Sequence, residues 1–193
     1  MSLHRREVVG FLLKDRKDLL VVAGLGSTAW DITAAGDSPL SFPMWGAMGQ
    51  AAMLGLGLAL AQPQRRVLVI TGDGEMLMGL GSLAAIGAQR PDNLSIAVLD
   101  NERHGETGMQ RGLTASGVDI AGVASASGFA STSTARDVHE LERCAKAIRL
   151  APGPTLCVFK VKAEAAPRVL PPKHGGYLKD RFRAALLGKD AVR

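Results

Sequence analysis

Two stretches decide how this chain is read: Val67-Leu68-Val69-Ile70-Thr71-Gly72-Asp73-Gly74, and, further on, Leu94-Ser95-Ile96-Ala97-Val98-Leu99-Asp100-Asn101. Each begins as an unbroken run rich in β-branched and apolar residues, the pattern of a strand covered on both faces rather than one. Each then breaks into turn chemistry. The residues between them have the length and periodicity of a helix, over 76–89, and a helix joining two buried strands is the crossover of a parallel sheet. Working outward, further strands are predicted over 19–23 and 155–161, with a weaker one around 129–131. Helices are predicted over 5–14, 28–35, 47–61, 120–127 and 136–150. Alternation of this kind predicts an α/β fold, a doubly wound three-layer α/β/α arrangement around a mainly parallel sheet.

The 193 residues suffice for one domain with a core on both sides of such a sheet, and 47% hydrophobic with 21% charged residues excludes a disordered chain. The net charge of +5 is unevenly placed: residues 160–193 hold nine Lys/Arg against three Asp/Glu, leaving the rest almost neutral. The expected organisation is a domain over 1–165 followed by a basic arm over 166–193, with a helix over 177–187. A basic tail without aromatic platforms or a recognition helix is poor evidence for nucleic acid, and none is expected. No membrane span is expected either, since the most apolar stretch, 51–61, is far short of spanning length. With no secretory pattern evident near the start, the cytoplasm is the expected location. Cys144 and Cys157 lack metal-site spacing and read as buried thiols.

In a sheet of this type ligands gather at the carboxyl ends of the strands, so the residues after each strand carry the candidate chemistry. Gly24-Leu25-Gly26-Ser27-Thr28-Ala29 has the glycine spacing of a dinucleotide turn. The acidic ribose partner is missing, since no Asp or Glu lies between Asp37 and Asp73. Asp73 and Asn101 are the stronger pair. They end two strands one crossover apart, which lets a carboxylate and an amide oxygen converge with a backbone carbonyl, a hard oxygen set that suits Mg2+. Gly72 and Gly74 allow close approach of a ligand, and the helix from Met76 would offer free amides to a diphosphate.

At these residues the sequence resembles the thiamine diphosphate enzymes, whose signature is Gly-Asp-Gly followed one crossover later by Asn. Here these are Gly72-Asp73-Gly74 and Asp100-Asn101. The likeness runs from about Ser41 to Thr114, through Gly46-Ala47-Met48-Gly49, Gly55-Leu56-Gly57-Leu58-Ala59 and Gly105-Glu106-Thr107-Gly108-Met109-Gln110. Within the family it looks most like the β subunits of sulfopyruvate and phosphonopyruvate decarboxylases. The resemblance implies thiamine diphosphate and Mg2+ as cofactors, with Asp73, Asn101 and the carbonyl of Arg103 as metal ligands. It implies that Met48 wedges the coenzyme into a bent shape, that the Gly46 carbonyl holds its amino group, and that Gly72, Gly74, Gly105, Glu106 and Thr107 lie against it.

The resemblance further implies a 2-oxo acid decarboxylase acting on a small anionic substrate. The family's activating glutamate sits on a separate pyrimidine-binding domain for which this chain has no room. The site would therefore be completed by a pyrimidine-binding α subunit in a heteromer, or by a second copy. The same chemistry serves an acetolactate synthase-like carboligase, and the missing glutamate also fits a catalytically silent binding subunit. His104, where relatives often carry an aromatic residue, is the candidate acid/base group, or a loop histidine with an ordinary hydrogen bond. Met109 and Pro43 also depart from the pattern. Glu75 either complements a helix N-terminus or stands near the diphosphate, and Glu106 and Gln110 either face substrate or cap the loop. The arm, with Lys173 and His174 between prolines and glycines, either closes over the site or packs as a tail.

Overall fold

The computed structural model describes residues 2–192; Met1 and Arg193, the outer ends of the predicted domain and arm, lie outside them. In chain order the elements are α1 (Arg5–Leu13), β1 (Leu20–Ala23), α2 (Ser27–Ala34), β2 (Ser41–Pro43), α3 (Ala51–Ala61), β3 (Val67–Gly72) and α4 (Asp73–Met78). They continue with α5 (Ser82–Gln89), β4 (Leu94–Asp100), β5 (Arg103–His104), β6 (Gln110–Arg111), α6 (Ile120–Ala126), β7 (Ser131–Ala135), α7 (Val138–Leu150), β8 (Thr155–Lys160) and α8 (Gly175–Leu187).

Six strands form one sheet in the order β2-β1-β3-β4-β8-β7, with β5 and β6 a separate two-stranded hairpin. Every pairing in the large sheet is parallel; Val21 faces Leu68, Gly72 faces Leu99 and Asp100 faces Lys160. Because side chains alternate across a strand, the continuous apolar runs supply two cores at once. Leu20, Val22, Val67, Val69, Ile96 and Val98 pack with α3, α5, α6 and Phe182 of α8. Val21, Ala23, Leu68, Ile70, Ala97 and Leu99 pack with α1, α2 and α7 on the other face. Truncating one of these fully buried side chains to Ala costs about 2–5 kcal/mol. The three-layer α/β/α architecture is the one the sequence predicts. No helix among the described residues is long and apolar enough to cross a membrane.

After β1 the chain places β2 on one side of it and β3 on the other. The connections leave in opposite directions there, so their helices separate and a crevice opens at the carboxyl ends of β1 and β3.

Several boundaries differ from the sequence reading, each for a local reason. The helix predicted over 47–61 starts at Ala51, because Ala47 (φ 56°) and Gly49 (φ +88°) are left-handed and an α-helix cannot run through them. The helix predicted over 76–89 is two helices that begin earlier, at Asp73, and break around Gly79. There the backbones of two loops touch: a Cβ on Gly79 would lie 2.0 Å from the Gly49 carbonyl oxygen. The weak strand expected around 129–131 is β7, Ser131–Ala135. Three-residue β2 and the β5/β6 hairpin were not foreseen.

The arm is not a free tail. Leu178 and Phe182 are buried, the Phe182 ring meets Phe42 of β2 edge-on at 5.6 Å, and Arg181 pairs with Asp37 at 2.6 Å. Helix α8 thereby covers the β2 edge. Lys173 and His174, the residues expected over the site if the arm closed, are exposed and line neither of the cavities described below.

Candidate active site

Asp73 directly follows β3 and starts α4, and only 3% of it is exposed. The Thr114 hydroxyl donates to its Oδ2 at 3.1 Å and is also placed 2.8 Å from Asp100 Oδ1, so one hydroxyl bridges two buried carboxylates. Burial first, and then the nearby Asp100 charge, push the Asp73 carboxyl up to about 6. Asp100 has its own cation, Lys160 Nζ at 2.7 Å, which also donates to Glu102 at 2.8 Å. Among the described residues no cationic side chain pairs with Asp73.

Asn101 follows β4, and its Oδ1 accepts from the Arg103 amide at 3.0 Å. That turn launches the β5/β6 hairpin, closed behind by Gly112 N donating to the Glu102 carbonyl at 2.8 Å. The hairpin carries His104 to the crevice. A methyl group on Gly74 would sit 3.0 Å from His104 Nδ1 and 3.7 Å from Met48 Cε, so these two side chains flank the start of α4. Met48 itself is 37% exposed, on a loop whose position is set by the contact of Gly49 with Gly79.

These residues enclose a cavity of about 330 Å3. Met48, Gly72, Asp73, Gly74, Asn101, Arg103, His104, Gly105, Glu106 and Thr107 all line it, ten of the eleven residues singled out from sequence. Gly46 does not: it is exposed, and Trp45 beside it donates its Nε1–H to the Pro172 carbonyl at 2.9 Å. Arg5, Ser27 and Thr28 also line the cavity; Ser27 and Thr28 belong to the glycine turn after β1, and no sequence motif marks Arg5.

Glu75 has an internal role. Its Oε2 accepts from the Leu25 amide at 3.0 Å, and burial pushes its carboxyl above the ordinary range despite the donors around it. A Cβ on Gly24 would fall 1.8 Å from Glu75 Oε2. The glycine of the supposed dinucleotide turn makes room for this carboxylate, and the neighbouring strand β2 ends on Pro43 with no acidic residue to hold a ribose.

A buried carboxylate left without a cation, lining one cavity with Asn101 and Arg103, suits a hard divalent ion. These donors fit Mg2+, and the adjoining cavity has the hydrogen-bonding edge and apolar wall a coenzyme requires.

Residues 26–159 match the sequence model of the family described as thiamine pyrophosphate enzyme, C-terminal TPP binding domain. The chain belongs to the thiamine pyrophosphate enzyme family. Relatives within this family include a sulfopyruvate decarboxylase subunit beta of Methanothermobacter thermautotrophicus, 43% identical over 67% of this chain and 69% of the relative. A phosphonopyruvate decarboxylase of Streptomyces viridochromogenes is 38% identical over 87% of this chain, which spans only 42% of that enzyme. Among solved structures, a benzoylformate decarboxylase from Polynucleobacter necessarius superposes with a TM-score of 0.72 at 20% identity, over 86% of this chain and 34% of its own. That likeness extends the family assignment to the fold.

Proposed function

We propose that this thiamine pyrophosphate family member is the diphosphate-binding subunit of a Mg2+-dependent decarboxylase for a small anionic 2-oxo acid, completed by a partner subunit that binds the pyrimidine ring. The observation that carries this reading is the convergence of Asp73, Asn101 and Arg103 on one cavity walled by Met48 and His104. Asp73, the Asn101 side-chain oxygen and the Arg103 carbonyl would hold Mg2+, and the backbone at Gly74 and at Gly105 to Thr107 would hold the diphosphate. When bound, the coenzyme supplies an electron sink for the carbanion left by departing carbon dioxide.

The chain's own residues do the rest. Met48, in van der Waals reach of the start of α4, constrains what shape a bound ligand can take. His104 lies on the cavity wall with Nδ1 against Gly74, and a proton held on its ring is available at the cavity surface. The partner is supported by exposure of Met48 on the cavity wall and of Trp45 three residues before it, and by the large part of the Streptomyces enzyme that this chain does not span. The subunit naming of the Methanothermobacter relative points the same way.

Calorimetric titration of thiamine diphosphate into the chain together with its partner should give saturable binding that requires Mg2+. The same complex should release carbon dioxide from sulfopyruvate or phosphonopyruvate. Failure of Mg2+-dependent binding overturns the reading; binding without turnover leaves a silent subunit, and acetolactate from pyruvate identifies a carboligase.

A further inference from the structure

Three neighbouring strands end on a row of charges. Gly72 of β3 faces Leu99 of β4, so the next position along that register sets Asp73 beside Asp100, and Asp100 in turn faces Lys160, the last residue of β8. Registered residues on parallel strands direct their side chains to the same face. The sheet thereby lines up a carboxylate, a second carboxylate and an ammonium along its carboxyl edge. The side chains meet as the register requires: Thr114 Oγ1 lies 3.1 Å from Asp73 Oδ2 and 2.8 Å from Asp100 Oδ1, and Lys160 Nζ lies 2.7 Å from Asp100 Oδ2.

The two carboxylates differ in what answers them. Asp100, 2% exposed, has an N–H donor on each oxygen, the Lys160 ammonium on Oδ2 and the Glu102 amide on Oδ1 at 3.0 Å. Asp73 lines the cavity and pairs with no cation among the described residues. Glu102 Oε1 takes Lys160 from the other side at 2.8 Å and keeps it in place. The Glu102 side chain is 44% exposed, so water screens much of its charge and the ammonium acts chiefly on its buried partner.

The number of unpaired carboxylates governs which cation such a site holds and how tightly. Several carboxylates in a flexible set bind Ca2+ well without help, whereas Mg2+ is commonly held by one or two carboxylates and completed by phosphate oxygens. Asp73 and Asp100 touch the same hydroxyl, so their oxygens stand no more than about 6 Å apart, and a charge on either is felt by an ion at the other. Lys160 removes one of the two from the count.

We infer that Lys160 sets the ion selectivity of this site: by cancelling Asp100 it leaves Asp73 as the one uncompensated carboxylate of the pair, so the chain holds a divalent cation weakly until a diphosphate supplies the missing negative charge. The diphosphate half of the inference rests on the coenzyme reading above; the half that concerns Lys160 and Asp100 does not. Lys160 does not line the cavity and acts through Asp100.

The test uses the full chain, stripped of metal and without coenzyme at pH 7.5, with Mn2+ as the probe read by electron paramagnetic resonance and with Mg2+ and Ca2+ as competitors. Lys160→Met should tighten Mn2+ binding at least tenfold and raise the preference for Ca2+ over Mg2+ at least threefold. Lys160→Arg, which keeps the charge, should stay within threefold of the parent. Asp100→Asn, which leaves the ammonium answered by Glu102 alone, should weaken binding at least tenfold. Combining Asp100→Asn with Lys160→Met restores the balance and should return the affinity to within threefold of the parent. A merely structural Lys160 predicts instead two losses that add. Should Lys160→Met fail to fold by circular dichroism, the comparison of Asp100→Asn with the double variant decides.

Equal Mn2+ affinity in all the chains, or a double variant that binds no better than Asp100→Asn, overturns the inference. Added thiamine diphosphate should then tighten Mn2+ binding at least tenfold in the parent and by a smaller factor in Lys160→Met. If it tightens neither, the coenzyme reading falls, and the coenzyme-free series still judges Lys160 by itself.

Discussion

Replacing Asp73 by Asn should stabilise the metal-free chain while abolishing its response to Mg2+. The folded state holds the Asp73 carboxyl near 6, against an ordinary 3.8, chiefly because it is buried and secondarily because Asp100 is close. Between those two values the folded chain binds more protons than the unfolded one, so this group lowers stability as pH rises through that window. Each pH unit of the difference is worth about 1.4 kcal/mol, giving a penalty of about 3 kcal/mol that is complete by pH 7. Asn keeps an acceptor for Thr114 and removes the charge. Urea unfolding in EDTA should therefore show the variant about 3 kcal/mol more stable than the parent at pH 7.5 and equal to it near pH 3.5. Glu75, also raised by burial, contributes a slope of the same sign to both chains, and the difference between them isolates Asp73. Adding Mg2+ with thiamine diphosphate should raise the unfolding midpoint of the parent and not that of Asp73→Asn. A variant less stable than the parent in EDTA, or one that gains as much from the metal, would refute the reasoning.

Three further outcomes follow from the contacts. Gly24→Ala should cost about 1–3 kcal/mol by thermal or urea unfolding, because its Cβ displaces the Glu75 carboxylate from the Leu25 amide; in a Glu75→Ala background most of that cost should vanish. Asp31→Asn leaves Arg5 and Arg6 without their buried carboxylate, and unfolding should register a loss of about 3–5 kcal/mol. Met48→Ala removes a half-exposed side chain, so the melting temperature should move by no more than about 2 °C, while coenzyme-dependent carbon dioxide release falls at least about tenfold.

The central sheet was legible because strands buried on both faces announce themselves as uninterrupted apolar runs, and 67–72 and 94–100 are such runs. The Asp73/Asn101 pair was legible for the same reason, since each sits where its run stops. Strand β2 was not, being three residues ending in Pro43, too short for any alternation to register. The break between α4 and α5 was hidden because Gly79 and Gly81 look like ordinary weak helix residues; what forces the break is a loop thirty positions upstream. Gly46 falls outside the cavity because the left-handed turn at Ala47 redirects the chain, a backbone choice that sequence does not display. Arg5 reaches the cavity from α1 and is held there by Asp31 of α2, so no local pattern could bring the two together. Helix α8 was placed almost correctly, while its role was not: the basic count concealed Leu178 and Phe182, which fix it to the β2 edge.

The meeting of Gly49 and Gly79 bears on which genetic changes this chain can accept. Every missense change from glycine adds at least a Cβ, and at position 79 that atom would overlap a main-chain oxygen that cannot swing aside. At position 49 the added atom would come within 3.0 Å of the Gly79 nitrogen, on a residue whose φ of +88° side chains rarely adopt. Neither site can be relieved by altering the other, since the obstruction is backbone in both directions. Gly46 and Gly81, close by, face open space and carry no such restriction. In a library of single substitutions, positions 49 and 79 should stand empty between tolerant neighbours, and the loss at each should appear as misplacement of Met48 before it appears as unfolding.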